Sequence, residues 1–171
     1  FTRATDIVEA HGGELQEFRG DGVLAVWSDA GSWAAKQALT AAHALTTALD
    51  RSFLPSPSLQ GLEPLALGVS IEQGPVLRGS IGPSHRRAHT LLGDTVSITL
   101  RIQEMTAELA QPILIGECAA RQLGNAGLIS QGSYLLKGLR TPHTLFAPAP
   151  SASISNLLPA THSLSVVQDA N

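Results

Sequence analysis

Apolar positions along the chain fall into segments of changing period. Ala4, Ile7 and Val8 recur at helical spacing between Thr2 and Ala10, and Gly12-Gly13 stop the helix. Glu14 to Trp27 reads as two short strands around Arg19-Gly20-Asp21-Gly22, where Asp-Gly between apolar alternations signals a hairpin. Asp29 to Arg51 is alanine-rich and helical, with Trp33, Ala34, Ala41, Leu45 and Leu49 as the predicted buried stripe. Leu54 to Pro64 carries three prolines and a glycine and predicts a loop.

Farther along, Leu65 to Ile71 and Val76 to Ile81 are strand-like, separated by Gln73-Gly74-Pro75. A basic turn, Pro83 to His89, leads through Thr90-Leu91-Leu92 to Gly93, where Asp94 can cap a helix running to about Leu109. Pro112 to Ile115 predicts a strand, Glu117 to Leu123 a short helix, and Leu128 to Leu136 with Thr144 to Phe146 a closing strand pair. The last 24 residues hold five serines, four alanines, three prolines and one charge, so residues 148–171 read as a flexible low-complexity tail on a domain at 1–147. This order predicts an α+β sandwich with helices on one face of a largely antiparallel sheet.

Composition narrows the class. The 171 residues are 43% hydrophobic and 15% charged, enough apolar material for one core and too little charge for a disordered chain. No apolar run approaches the roughly 18 residues of a membrane span, and no signal peptide opens the sequence. A net charge of −3 gives no basic footprint for nucleic acid. The single cysteine, Cys118, excludes an internal disulfide and reads as a small buried hydrophobe in a reducing compartment. Phe1 opens directly into helix-like sequence, which reads as a cut rather than a natural start.

Candidate chemistry gathers in two places. A carboxylate at a glycine-flanked turn, Asp21, stands where the backbone leaves room for a phosphate or a metal, although a bare Asp-Gly is more often an ordinary type I′ turn. Ser97 and Arg101 are i and i+4 on the helix opened by Gly93-Asp94-Thr95-Val96, and an arginine there can stabilise charge on a transferring phosphoryl group. His85 and His89 share that spacing, but Pro83 and Arg86-Arg87 favour a solvated basic turn over a metal site. Trp27 and Trp33 read as core or interface anchors, because seven aromatics in all do not make a base-stacking platform.

Several segments in order resemble class III adenylate/guanylate cyclase catalytic domains of the bacterial type. His11-Gly12-Gly13 followed by Phe18-Arg19-Gly20-Asp21-Gly22-Val23-Leu24-Ala25-Val26-Trp27 is similar to the family's glycine pair and GDG hairpin. Gly68 to Val76, ending in Gly-Pro-Val, and Gly79-Ser80-Ile81-Gly82 resemble its strand-turn-strand. Thr90 to Arg101 resembles its GDTVN-x-A-x-R helix, and Pro112 to Ile115 and Leu136-Lys137-Gly138 follow in the expected order. The resemblance spans residues 4–147 and implies a ferredoxin-like cyclase sandwich that makes a 3′,5′-cyclic nucleotide and pyrophosphate from ATP or GTP in signal transduction.

Position by position, the resemblance implies that Asp21 is the second of two metal-binding aspartates and that Arg101 stabilises the α-phosphate in the transition state. Two Mg2+ or Mn2+ ions are expected in an intact site, where they activate the ribose 3′-hydroxyl. Glu17 and Thr90 fall where the family reads the purine, glutamate going with guanine and lysine with adenine. Arg140 follows Lys137-Gly138 and can reach the triphosphate. The implied partners are the nucleotide and a second copy or a second cyclase domain, paired head to tail, with no nucleic acid and no direct membrane insertion. The implied location is cytoplasmic, alone or as part of a larger membrane-attached receptor.

Three departures bear on activity. The opening strand with the first metal aspartate is missing, and Asp6, on a helix 15 residues before Asp21, reads as a surface carboxylate. Ser97 stands where the family has the asparagine that positions the ribose, and a hydroxyl cannot reproduce an amide's paired donor and acceptor. Glu17 suggests guanine, whereas threonine at position 90 is often found with lysine in adenylate cyclases. The competing expectation is therefore a catalytically inactive cyclase-like module for dimerisation or nucleotide sensing. A diguanylate-cyclase-like domain, supported by the hairpin alone, is the weakest reading.

Overall fold

A computed structural model describes residues 1–28, 31–52, 66–83, 85, 88–124, 127–150 and 161–169. In chain order these are α1 (Thr2–Ala10), β1 (Glu14–Arg19), β2 (Gly22–Trp27), α2 (Ser32–Ser52), β3 (Ala66–Gly74), β4 (Leu77–Ile81), β5 (Ala88–Leu92), α3 (Asp94–Glu108), β6 (Ile113–Gly116), α4 (Glu117–Leu123), β7 (Leu128–Tyr134), β8 (His143–Pro148) and β9 (Thr161–Asp169). Seven strands form one sheet in the order β1-β2-β9-β3-β6-β8-β7, and β4-β5 form a separate hairpin. The predicted loop Leu54 to Pro64 lies outside the described residues.

The α+β class and the largely antiparallel pairing stand, with one revision, to the placement of the helices. Among the described pairings four are antiparallel, while the centre of the sheet, β2-β9-β3-β6, is parallel throughout. The helices cover both faces rather than one. Side chains alternate across a strand, and all six residues of β2 are buried, so each face needs its own cover. Val23, Ala25 and Trp27 meet α1, α2 and α4 in one cluster, with Val69, Ile71, Ile113 and Ile115. Leu24 and Val26 pack with Leu91 of β5 and Val96 of α3 on the other side. Farther along that second face, Ile102 of α3 meets Leu114 and Leu145.

Close approach explains the small residues at these contacts. On α2 the buried stripe is Ala34, Ala35, Ala38, Ala41, Ala42 and Leu45, which lets the helix lie near the sheet. Trp33 departs from the predicted stripe: it is 51% exposed and lies over Gly12. The side chain of Leu49 is outside the described set. Trp27 is fully buried and its Nε1 donates to the His11 carbonyl at 2.8 Å. Its indole leaves no room for a side chain at Gly13, where a Cβ would stand 2.5 Å from the ring. On the opposite face Thr95 Oγ1 donates to the Pro75 carbonyl at 2.9 Å, and Ser70 Oγ donates to the Thr99 carbonyl at 2.9 Å. These bonds fix α3 across the end of β3.

The expected flexible tail is corrected in part. Residues 161–169 form β9, which pairs in parallel with β2 on one side and with all nine residues of β3 on the other. Without a strand between them β2 and β3 would each present an unpaired backbone edge, and the β-prone run Leu164 to Val167 supplies the missing partner. Serine and alanine content hid this, because backbone pairing needs no core-forming side-chain period.

Candidate functional site

The hairpin that carries Asp21 is built by backbone register. Arg19 pairs with Gly22, so Gly20 and Asp21 alone make the loop. Gly20 sits at φ 60° while Asp21 is outside the left-handed region, the pattern of a type II′ turn with glycine at its first central position. The type I′ expectation is corrected: the turn glycine is Gly20, and Gly22 already belongs to β2. Asp21 is exposed at the tip.

Glu17 and Thr90 are brought together, although 73 residues separate them in the chain: Thr90 Oγ1 and Glu17 Oε2 are 3.3 Å apart, the hydroxyl donating to the carboxylate. Two elements cause this. Glu17 pairs with Leu24, so its side chain shares the face on which Leu24 meets Leu91 of β5, next to Thr90. A second bond, from Arg78 Nη1 of β4 to Glu14 Oε2 of β1 at 2.9 Å, ties the β4-β5 hairpin to the edge of the main sheet. Arg78 Nη2 also reaches Ser28 Oγ at 3.2 Å.

Arg19, which the sequence pattern did not single out, completes this group. Its Nε lies 3.2 Å from Glu17 Oε1 and its Nη2 lies 3.3 Å from Glu17 Oε2. Residues 17 and 19 share a face because strand side chains alternate, a signal present in the sequence but unremarkable without knowledge of what stands opposite.

Ser97 and Arg101 lie on α3, whose first half packs under β5 through Val96 and Leu100 against Leu91. Both therefore stand on the Glu17–Thr90 side of the sheet. Ser97 is exposed, and Arg101 is held by Glu104 in an i,i+3 ion pair at 2.5 Å with 37% of its side chain exposed. Asp94 is the first helical residue rather than the cap; Gly93 is the N-cap and makes no side-chain bond. Arg140 is exposed between β7 and β8.

No group of three or more His, Cys, Asp or Glu that could hold a metal stands among the described residues. One carboxylate does not hold two magnesium ions, each of which needs several oxygens. The described residues of a single chain therefore do not fit the two-ion centre that the resemblance implies. Asp169 does not repair this, since its backbone pairs with Gly74, at the end of the sheet away from Asp21. His85 is exposed in its turn, and Arg86 and Arg87 lie outside the described residues.

A buried carboxylate went unnoticed in the sequence. Glu72 on β3 is 3% exposed; its Oε1 accepts from the Gln73 N–H at 2.8 Å and from the Ala119 N–H at 3.1 Å. Burial pushes its carboxyl up to about 7 despite these bonds. The acid directly after the run Val69-Ser70-Ile71 in a strand was the available signal. Cys118 is exposed on α4, not buried as expected, because Ala119 and Ala120 take the inner positions. Partial desolvation at the helix surface and the nearby Glu72 push the thiol up.

No family model matches the sequence. The adenylate cyclase of Anabaena cylindrica is 32% identical over 120 residues, covering 68% of this chain and 23% of that protein. Adenylate cyclase 1 of Rhizobium meliloti (strain 1021) is 30% identical over 125 residues, 69% of this chain and 19% of that protein. The chain thus spans less than a quarter of the length of these relatives. Among solved structures, the guanylyl cyclase Cya2 superposes with a TM-score of 0.71 at 27% identity, covering 94% of this chain and 81% of that one. The adenylyl cyclase CyaB from P. aeruginosa gives 0.66 at 17% identity, over 88% and 78%. The two sequence relatives show the family and the solved cyclases share the fold: the chain belongs to the class III adenylyl/guanylyl cyclase family.

Proposed function

We propose that this chain supplies the nucleotide-reading wall of a nucleotidyl cyclase that converts ATP or GTP into a 3′,5′-cyclic nucleotide and pyrophosphate for signalling. The observation that carries the reading is the Thr90–Glu17 hydrogen bond, which joins two positions assigned to purine recognition on independent motifs. On this reading Glu17 and Thr90 hold the base, Ser97 orients the ribose and Arg101 offers charge to the α-phosphate as the oxygen attacks. Arg140 approaches the leaving pyrophosphate. Asp21 would be one carboxylate of a divalent-ion site, Mg2+ or Mn2+, whose other ligands a paired domain would have to supply.

The same reading makes the working unit a pair of domains, this chain with itself or with a second cyclase domain. Leu77 and Leu92, opposed on the β4-β5 hairpin and 66% and 42% exposed, supply apolar surface for that pairing. No helix among the described residues is long and apolar enough to cross a membrane. We place the domain in the cytoplasm, where the nucleotide is.

The reading is tested by incubation with ATP or GTP and Mn2+, followed by chromatography for cyclic product. Ser97→Asn should raise the rate about 10-fold or more, because orientation supplies much of phosphoryl-transfer catalysis. A second reading, a nucleotide-sensing or dimerisation module without catalysis, is favoured by Ser97 itself and by the Glu104 carboxylate that occupies Arg101. Nucleotide binding with no cyclic product from either the parent chain or its Ser97→Asn form would select that second reading.

A further inference from the structure

We propose that Arg19 is a specificity-determining residue of the purine pocket, and that the arc Arg19–Glu17–Thr90 selects guanine over adenine. The inference rests on the cyclase reading above, in which Glu17 and Thr90 face the base.

Three donors converge on one carboxylate. Arg19 reaches both oxygens of Glu17, Nε to Oε1 at 3.2 Å and Nη2 to Oε2 at 3.3 Å, while Thr90 Oγ1 also donates to Oε2. Stability alone does not account for this arrangement. The two side chains are 39% and 30% exposed, and a solvent-facing ion pair contributes only about 0–1 kcal/mol. The same exposure leaves the outer N–H groups of the guanidinium and the remaining lone pairs of Glu17 open to a ligand.

Such an edge, a fixed cation beside a fixed acceptor, has a chemical complement. Guanine offers two adjacent donors, N1–H and the 2-amino group, next to an acceptor, O6, with N7 beyond it. Glu17 can accept from the donors while Arg19 donates to O6 and N7, the most frequent arginine–base contact. Adenine places an amino group where guanine has O6. A guanidinium there meets donor with donor, so adenine gains no bond from Arg19 at the position where guanine gains one. Glutamate alone would discriminate weakly, since it also accepts from adenine's amino group. Arg19 adds the element that works against adenine.

The experiment measures displacement of a fluorescent GTP analogue from the full chain by GTP, ITP and ATP, for the parent and for Arg19→Met and Arg19→Lys. ITP keeps O6, N7 and N1–H but lacks the 2-amino group, so it retains the Arg19 contact while removing one of the two donors to Glu17. The parent should favour GTP over ATP. Arg19→Met should lower that ratio about 10-fold by weakening GTP and ITP alike while leaving ATP unchanged or improved. Arg19→Lys should retain part of the preference. A GTP:ATP ratio unaltered by Arg19→Met, or a parent chain that prefers ATP, overturns the role of Arg19 while nucleotide binding, and with it the cyclase reading, survives. A chain that binds neither the probe nor any triphosphate removes both. Far-ultraviolet circular dichroism on each variant checks that this half-exposed position has not unfolded the domain.

Discussion

Glu72 sets a pH dependence at the scale of one residue. Its folded value of about 7 lies above the ordinary carboxylate value of 4.5, so the folded chain binds a proton more tightly than the unfolded chain. The contribution to stability is therefore fully present below 4.5 and is lost as pH rises through 7, because the buried anion is disfavoured relative to the solvated one of the unfolded chain. The full loss is on the order of 3 kcal/mol. Glu72→Gln keeps an acceptor for the Gln73 and Ala119 N–H groups without the charge. We expect urea denaturation of the variant to be flatter than that of the parent between pH 5 and pH 8, with the two curves diverging toward high pH. Parallel curves would mean that Glu72 is not the titrating group.

Single glycines act with similar sharpness. A Cβ at Gly13 would stand 2.5 Å from the rigid, fully buried Trp27 ring, whereas at Gly79 it would meet nothing within 4 Å. Gly13→Ala should cost about 2–3 kcal/mol through overpacking, and Gly79→Ala should change stability by less than about 0.5 kcal/mol. Thermal unfolding of the two variants separates a packing requirement from a backbone preference.

Among the elements, β9 carries the most consequence. It joins β2 to β3, and its removal would leave two half-sheets with facing open edges. Deleting residues 150–171 should therefore produce aggregation or a loss of cooperative unfolding, seen by light scattering and chemical denaturation. A tail with no structural role would leave both unchanged. The hairpin β4-β5 serves the site rather than the sheet. It brings Thr90 over the edge strand, and Arg78–Glu14 holds it there at 2.9 Å. Helix α3 lies against small positions on β3, where a Cβ at Gly74 would come 2.5 Å from Thr95 Oγ1.

For the molecule as a whole, the exposed pair Leu77–Leu92 predicts self-association. Leu92→Asp places a charge on that surface and should shift sedimentation toward the monomer without loss of helix content. A parent chain that sediments as a monomer at high concentration would argue for a different second domain as the partner.

The amino-acid sequence by itself determined the local elements and the family. Periodicity located the helices from Thr2–Ala10 to Glu117–Leu123, and ordered motifs around Asp21 and Arg101 pointed to a cyclase, because these depend on residues near one another in the chain. What tertiary structure decided were the long-range facts: that α3 covers the face opposite α1, α2 and α4, that a serine-rich C-terminal stretch pairs at the centre of the sheet, and that Thr90 meets Glu17. Each of these rests on sheet order and strand register. Register fixes which side chains stand opposite one another, and no local pattern encodes a partner 73 residues away.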